Sequence, residues 1–483
     1  MMKLKQTALA VSLVFPILAS AQSNADLQRQ IDALQLQIKQ LTEALKGAAP
    51  APAPVQAAQT PAVDPEEFNR IKTKVEAMDD QTEVAGFKGL RISGGIDPTY
   101  IYNRNKRSSS FAFLNNFSGS DANGNSQVYS YDNSYFGLAY LDVQKEIDDG
   151  GTRFRLTLAP SKSAGSSFNI GNIVHEASAS IPIDGPSTRL LVGQMPDVSG
   201  YQPFFNSFVG ANSLSSNLLY PGYSEYFVTK NLLFDFTAAT AYTGVGLDLT
   251  RGPWDTKLFL ANFNSARNDV SGSSLASTRS PVFVYNATYA KDEFWGIEFT
   301  GYEGKVPNPM ASTPTSTRLD QFEIDGWWTR GDLNTNLQLT LGRQKDGAFN
   351  GGDSQWYGLS YLLSQKVNSA WTVAGRLDYL NNQKNGGGTF NTFANDPSGA
   401  GVAIGDFYNG FGPGDPNDPG YDPSKGSNRF SVTGAATYRL TRNVAFRGEL
   451  RFDHATKPSF YQWSDGTYRK SNTTIGLQTI VNF

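Results

Sequence analysis

The sequence predicts an all-β, antiparallel transmembrane barrel of about 16 strands, preceded by a short α-helical coiled-coil segment. Three observations predict it. Apolar and polar residues alternate with a period of two from Gly86 onward, short and long connections follow one another in turn, and the N-terminus has the pattern of an export signal. Because the strands of such a barrel alternate between lipid and water, a mean hydropathy of −0.38 is compatible with it.

Composition excludes several other classes of protein. Lys and Arg number 41 and Asp and Glu 44, which gives a formal net charge of −3 and argues against a nucleic-acid-binding domain, which would be basic. The chain has no Cys and only two His, His175 and His454, so it has no disulfide framework and no thiolate zinc site. Phosphate-binding loops and zinc-protease motifs are also missing from the sequence. We therefore expect no enzyme, no cofactor and no metal site.

Residues 1–21 are predicted to be a signal peptide. Lys3 and Lys5 precede an apolar run over residues 8–18, and Ala19-Ser20-Ala21 gives a small-x-small cleavage site. The apolar run is too short for a membrane-spanning helix. We expect cleavage after Ala21, so that the mature protein leaves the cytoplasm.

Residues 22–46 are predicted to form a coiled coil. Apolar residues recur with alternating spacings of four and three, which is a heptad seam for self-association. The alternative, a single amphipathic helix lying on the barrel, is disfavoured by the narrow stripe and the 3.5-residue period. The seam leaves dimer and trimer open. It consists of Leu27, Ile31, Leu34, Ile38, Leu41 and Leu45.

Two further segments separate this helix from the barrel. Residues 47–63 repeat Ala and Pro, which is typical of an extended, semi-rigid linker. Residues 64–85 contain a second apolar seam that includes Phe68, Ile71 and Val75, and they are predicted to form a second short helix.

Residues 86–483 are predicted to form the barrel. In one segment Phe446, Leu450 and Phe452 share one parity, whereas Arg451 and Asp453 share the other. This pattern fits a soluble sandwich with a dry interior or a membrane barrel with a polar lumen. Long connections that all alternate with short turns favour the membrane barrel, because its long loops lie at one end. The predicted short turns are 148–151, 184–187, 251–253, 291–293, 330–332, 368–369 and 441–442.

The last strand, residues 472–483, alternates Ile475, Leu477 and Val481 with polar residues and ends at Phe483. This pattern resembles the C-terminal assembly signal of Gram-negative outer-membrane porins. The order of signal peptide, coiled coil, Ala/Pro linker and barrel resembles that of trimeric porins with an N-terminal coiled coil. Within residues 130–270, Leu191-Val-Gly-Gln-Met-Pro-Asp and 231–241 resemble the OmpL-like family of β-barrel porins.

These resemblances imply a location and partners. They imply the Gram-negative outer membrane, contact with its lipid and lipopolysaccharide, insertion by the barrel-assembly machinery, and a homotrimer. They also imply passive diffusion of small hydrophilic solutes.

A barrel of about 16 strands leaves an aqueous channel, and the long segment 196–231 is the candidate for narrowing it. It is too aromatic for a disordered loop, although packing on a neighbouring subunit is the alternative. The loop 381–427, rich in Gly, Asn, Asp and Pro, is expected to be external and mobile. The constriction residues expected in the first segment are Tyr201, Phe204, Phe205, Tyr220 and Tyr223.

Parity places a set of charged side chains in the lumen. Arginines on the first and last strands should form a basic wall that faces Glu298, Glu323 and Asp325, and such a field orders water and filters solutes. The alternative is neutralisation within the basic wall, for example by Glu449. We expect a weak preference for anions. The predicted pore-lining residues are Arg91, Arg153, Arg155, Glu298, Glu323, Asp325, Arg376, Asp378, Arg439, Arg447, Glu449 and Arg451.

The leading functional hypothesis is a porin for passive diffusion of small hydrophilic solutes. The alternatives are a substrate-selective channel for a sugar, phosphate or organic acid, and a structural tether. An outer-membrane hydrolase ranks below these because neither His has an evident partner Ser. No motif identifies the permeant solute.

Overall fold

The computed structural model describes residues 70, 72–74, 87–113, 116–117, 137, 139–147, 151–159, 174–199, 226–239, 241–264, 281–292, 294–308, 316–392 and 405–483. The chain divides into two units, residues 1–78 and 79–483. In the first unit the described residues, 70 and 72–74, are helical. The predicted signal peptide, the coiled coil with its six seam residues and the Ala/Pro linker lie outside the described residues. Of the described helices, none is long and apolar enough to cross a membrane.

The second unit is a sheet of antiparallel strands with one described helix. Its elements are β1 Leu90–Ile96, β2 Thr99–Asn103, β3 Ser108–Phe113, β4 Asn116–Phe117, β5 Ala139–Glu146, β6 Arg153–Leu158, β7 Val174–Pro182, β8 Thr188–Pro196, α1 Leu232–Thr237, β9 Ala241–Arg251, β10 Trp254–Asn264, β11 Val282–Asp292, β12 Trp295–Pro307, β13 Ser316–Arg330, β14 Leu333–Gln344, β15 Ser354–Lys366, β16 Trp371–Asn381, β17 Arg429–Arg439, β18 Val444–Ala455, β19 Phe460–Gln462, β20 Thr467–Arg469 and β21 Ser471–Asn482.

The sheet closes on itself. β21 pairs along β18 on one side and with β1 and β2 on the other, for example Gly95 with Asn482 and Tyr102 with Ile475. When β1 and β2 are taken as one kinked strand and the short β3 and β4 are left aside, the wall has 16 strands. The predicted barrel is therefore confirmed.

The connections follow the predicted alternation. The strand bounds place short links after β5, β7, β9, β11, β13, β15 and β17, and longer links between the other neighbouring wall strands. We call the end with the short links the turn end and the opposite end the loop end.

The exposure of side chains along the strands shows which face of the sheet points outward and which points into the barrel. On β18, Leu450 is 57% exposed and Phe452 is 44% exposed, whereas Arg451 and Asp453 are both 0% exposed. Apolar residues thus cover the outside and polar residues line the inside. This distribution is opposite to that of a soluble sandwich with a dry core and matches a barrel in lipid.

A helix precedes β9. Residues 232–237 form α1, and β9 begins only at Ala241. The reason is the cap: the Asn231 side chain accepts a hydrogen bond from the backbone N–H of Phe234 at 2.7 Å, which satisfies a donor of the first helical turn. A short apolar run cannot be assigned to helix or strand from its periodicity alone.

Candidate functional site in the barrel lumen

Residues 226–239, which we call the inner segment, lie inside the barrel. Every residue from Phe227 to Ala239 is buried. Inward-facing side chains of β13, β14, β16 and β18 bind it. The inner segment therefore occupies the position at which a barrel loop narrows a lumen.

Glu449 on β18 binds the start of the inner segment. Its carboxylate accepts hydrogen bonds from the backbone N–H of Val228 at 2.6 Å, from the backbone N–H of Thr229 at 3.0 Å and from the Thr229 hydroxyl at 2.6 Å. Hydrogen bonds to an ionised acceptor are roughly twice as strong as neutral ones. Glu449 therefore anchors two successive residues of the segment.

Three arginines bind the carbonyl oxygens of the same stretch, and we call them the arginine clamp. Arg447 donates to the Phe227 carbonyl at 3.0 Å. Arg376 donates to the carbonyls of Thr229 at 2.8 Å and Lys230 at 2.9 Å. Arg451 also donates to the Lys230 carbonyl, at 3.0 Å. The clamp residues are Arg376, Arg447 and Arg451.

Side chains also satisfy the carbonyl groups at the end of α1, where a helix leaves its last carbonyls without partners. Gln321 on β13 donates to the Thr237 carbonyl at 2.6 Å. Thr389 donates to the Phe236 carbonyl and Asn391 to the Ala238 carbonyl, each at 2.6 Å. The helix is therefore held at both ends.

Apolar contacts fix the sides of α1. Leu233 lies directly against Gly358 on β15, where a Cβ atom would be 2.2 Å from Leu233 Cδ2. The ring of Phe236 packs edge-on against Phe411 with a centroid distance of 4.6 Å. Gly at position 358 thus allows the helix to approach the wall closely.

The loop between β16 and β17 contributes to this packing. Its described parts include the buried side chains of Phe390, Phe407 and Phe411. The expectation that 381–427 is an external loop is therefore wrong for these parts. The loop is rich in Gly and Asn, so its composition did not indicate that these three aromatic residues would be buried. Their burial holds the loop inward.

Asp197, which directly follows β8, joins the start of the long loop to the wall. Its carboxylate accepts hydrogen bonds from the Ser199 backbone N–H at 3.3 Å and the Tyr302 hydroxyl at 3.2 Å, and also from the Tyr242 hydroxyl. Burial raises the pKa of Asp197 to about 6. Nothing in the alternation pattern indicated this residue, because it lies just outside a strand.

The predicted pore-lining residues fall into two groups. Arg91, Arg153 and Arg439 are exposed near the turn end, where Arg153 pairs with Glu146 at 3.3 Å. The other predicted residues are buried and face the lumen: Arg155, Glu298, Glu323, Asp325, Arg376, Asp378, Arg447, Glu449 and Arg451. The five aromatic residues predicted at the constriction, Tyr201, Phe204, Phe205, Tyr220 and Tyr223, lie outside the described residues.

Carboxylates accompany the arginines of the basic wall. Arg376 pairs with Asp378 at 3.2 Å and Arg155 with Asp142 at 2.8 Å. Asp453 pairs with Arg451 at 3.1 Å and also with Arg429 at 2.8 Å. The basic wall is thus largely neutralised by its own acids, which is the alternative that the sequence left open.

The opposite wall carries an acidic cluster that lacks such partners. Glu298 on β12 lies directly across from Asp325 on β13, and Glu323 is two residues away on the same face. Both oxygens of Asp325 and Oε1 of Glu323 have no hydrogen-bond partner among the described residues. No cluster of metal-ligating side chains occurs in the described part of the chain.

The family model described as "Protein of unknown function (DUF3138)" matches residues 2–291 and 299–483. Among curated proteins, none matches this chain.

Solved structures with a similar fold are outer-membrane proteins. An anion-selective porin from Comamonas acidovorans is 12% identical with a TM-score of 0.47, and the alignment covers 82% of this chain and 99% of that one. The outer membrane channel DcaP of Acinetobacter baumannii is 11% identical with a TM-score of 0.44, covering 82% and 97%. The trimer form of OmpT, from Vibrio cholerae, is 8% identical with a TM-score of 0.44, covering 82% and 99%. The assignment of the barrel rests on its own strand pairing.

Proposed function

This chain belongs to the DUF3138 family, and from that premise we propose that it is a porin-like channel of the Gram-negative outer membrane for small hydrophilic solutes. One observation carries the proposal: a closed barrel has an apolar outside and a polar inside, and the inner segment is bound within it by side chains of the wall. A wall of 16 strands is wide enough to enclose an aqueous passage. A loop held inside it gives the passage a narrow point.

The supporting experiment is conductance in a planar bilayer. Purified, refolded protein should give discrete current steps that increase linearly with voltage. Silence from a protein whose barrel is intact by circular dichroism and heat-modified gel mobility would refute the channel and favour a tether.

A substrate-selective channel is the second candidate, and the buried lumen favours it. Wall side chains near the inner segment, such as Thr300, Gln338 and Ser360, are all at most 1% exposed, as expected of a tight passage with specific contacts. A selective channel saturates as the concentration of its solute rises, whereas a diffusion pore does not. Measuring solute flux into liposomes over a range of concentrations separates the two.

Location and assembly belong to the same proposal. The predicted signal peptide 1–21 and the aromatic C-terminal strand support export and insertion into the outer membrane. The N-terminal heptad seam supports self-association, and the resemblance to trimeric porins with an N-terminal coiled coil favours a homotrimer. Phe483 pairs with Gly94 through two backbone hydrogen bonds, of 3.0 and 3.2 Å, so the final residue takes part in closing the barrel.

A further inference from the structure

The two sides of the lumen differ in how their charged side chains are paired. The clamp arginines bind carbonyls of the inner segment and pair with wall carboxylates. In contrast, the buried charged side chains described on β9 to β14 are five carboxylates and one lysine: Asp248, Asp255, Lys257, Glu298, Glu323 and Asp325.

One lysine stands against five acidic side chains. Lys257 Nζ is hydrogen-bonded to Asp255 and lies 4.0 Å from Asp248, and its charge also acts on Glu298. This wall therefore has an excess of acidic groups over basic ones among the described residues.

The geometry brings these three carboxylates close together. Residues directly opposite on paired strands have Cβ atoms about 5 Å apart, which applies to Glu298 and Asp325. Residues two apart on one strand lie about 7 Å apart on the same face, which applies to Glu323 and Asp325. Like charges at such positions repel each other, and a cation between them would relieve the repulsion.

The hydrogen bonds of the cluster are unevenly distributed. Glu298 accepts from the Thr288 hydroxyl at 2.8 Å and from the Thr300 hydroxyl at 3.4 Å, whereas Glu323 accepts from the Thr340 hydroxyl at 2.7 Å. Asp325 is 4% exposed and accepts no hydrogen bond from the described residues. An oxygen that is buried without a donor loses its hydration without compensation, so Asp325 is the carboxyl group of the cluster at which a cationic group would add most.

An aromatic ring completes the cluster. Trp327 follows Asp325 on the same face of β13, is 7% exposed, and its indole N–H has no partner among the described residues. Its ring lies on the backbone of Gly296, where a Cβ atom would be 2.0 Å from the ring. Carboxylates beside an aromatic ring are the groups that recognise organic cations.

We propose that Glu298, Glu323 and Asp325, with Trp327 at their edge, form a lumen site for solutes that carry an ammonium or guanidinium group. The proposal rests on the proposed channel function and names its substrate class. It replaces the anion preference expected from the number of arginines. Asp325 lies across from Gln338 on β14, whose side chain accepts a hydrogen bond from Asn231, so the site is level with the start of α1.

The test compares the wild type with the double variant E323Q/D325N. Both changes keep the shape of the side chain and remove repelling charges, so the barrel should fold. The matched control is E303Q, which removes a carboxylate from β12 at an exposed, outward position.

Reversal potentials in a KCl gradient are the first readout. One unit charge about 7 Å away changes the local cation concentration about threefold at the dielectric constant of water, and salt reduces this. We expect the wild type and E303Q to prefer K⁺, and E323Q/D325N to lose most of that preference. An ohmic wild-type channel that prefers Cl⁻, or a double variant with unchanged selectivity, would overturn the proposal and leave the channel standing.

Binding of argininamide to the detergent-solubilised full chain is the second readout, measured by titration calorimetry. The wild type should bind it, and E323Q/D325N should bind at least about tenfold more weakly, equivalent to one charge-assisted hydrogen bond. If the wild-type channel is silent, the proposed function fails and this titration alone decides the cation site. Equal binding by the wild type and the double variant would refute the site.

Discussion

Glu449 is the residue whose substitution tests most directly how the inner segment is held. Its carboxylate accepts three hydrogen bonds from Val228 and Thr229. The change Glu449→Gln keeps the shape of the side chain but removes the charge. It also replaces one acceptor oxygen by an NH₂ group, which cannot accept from a backbone N–H.

The expected loss follows from those three bonds. A hydrogen bond to a charged group contributes about 1.5–3 kcal/mol, whereas a neutral one contributes about 0.5–1.5 kcal/mol. A loss of about 1 kcal/mol for each bond gives about 3 kcal/mol for local release of the segment. Because about 1.4 kcal/mol corresponds to a factor of ten, the released population should rise by about 10²-fold.

Hydrogen exchange followed by mass spectrometry measures this release without requiring conduction. The amides of residues 228–237 should exchange about 10²-fold faster in E449Q, since exchange from a locally opened state follows its free energy. In bilayers the same variant should show larger or noisier current steps. The exposed Glu303→Gln serves as the control for the loss of one carboxylate.

Unchanged exchange in the inner segment of E449Q, with strand amides still protected, would refute the claim that Glu449 anchors it. Faster exchange over the whole barrel would instead indicate global destabilisation. Faster exchange confined to the segment, together with unchanged conductance, would show that the segment does not limit the current.

Three other substitutions test separate features of the chain. Gly358→Val should displace α1 and speed exchange of its amides, because a Cβ would lie 2.2 Å from Leu233 Cδ2. Adding Leu233→Ala should restore part of the protection, since the contact of that Cβ with the Tyr379 carbonyl oxygen, at 2.8 Å, would remain. Burial raises the pKa of Asp197 to about 6 in the folded protein. The stabilisation that comes from this shift is therefore complete below the pKa of Asp in the unfolded chain. It is lost as the pH rises through the pKa of the folded protein. Between pH 4 and 7 the wild type should lose about 2 kcal/mol relative to Asp197→Asn in urea unfolding in micelles, and parallel pH profiles would contradict this. Replacing Ile31 and Ile38 by Lys should reduce cross-linked oligomers of the full chain, since each charge would lie in the heptad seam, and an unchanged pattern would exclude the seam from assembly.

The sequence predicted the wall of the barrel well because a period of two is a local property. Phe452 and Asp453 reveal their opposite faces through their immediate neighbours, and each turn is marked by its own polar residues. Strand number and closure follow from repeating that local pattern, and the structure confirms both.

The interior could not be predicted in the same way. Glu449 and Thr229 are 220 positions apart, and parity indicates that Glu449 faces inward but not what it meets there. The apolar run at Leu232 fits a strand as well as a helix until Asn231 is seen to cap it. Buried aromatic residues in a Gly-rich loop, such as Phe411, give no periodic signal at all.

The ion selectivity of the lumen depends on whether an inward-facing charged group can contact an ion or is already bound by other groups of the protein. When charged residues are assigned to the lumen by strand parity, the basic wall has a clear excess of arginine, which predicts a preference for anions. In the structure, Arg376, Arg447 and Arg451 direct N–H groups at the carbonyls of the inner segment, and Arg376 and Arg451 also pair with adjacent carboxylates. A guanidinium that already binds a carbonyl and pairs with a carboxylate offers a passing anion little beyond its screened charge. The proposed site at Asp325 and Glu323 would give a cation a direct contact, and it therefore predicts that the acidic wall sets the sign of the preference.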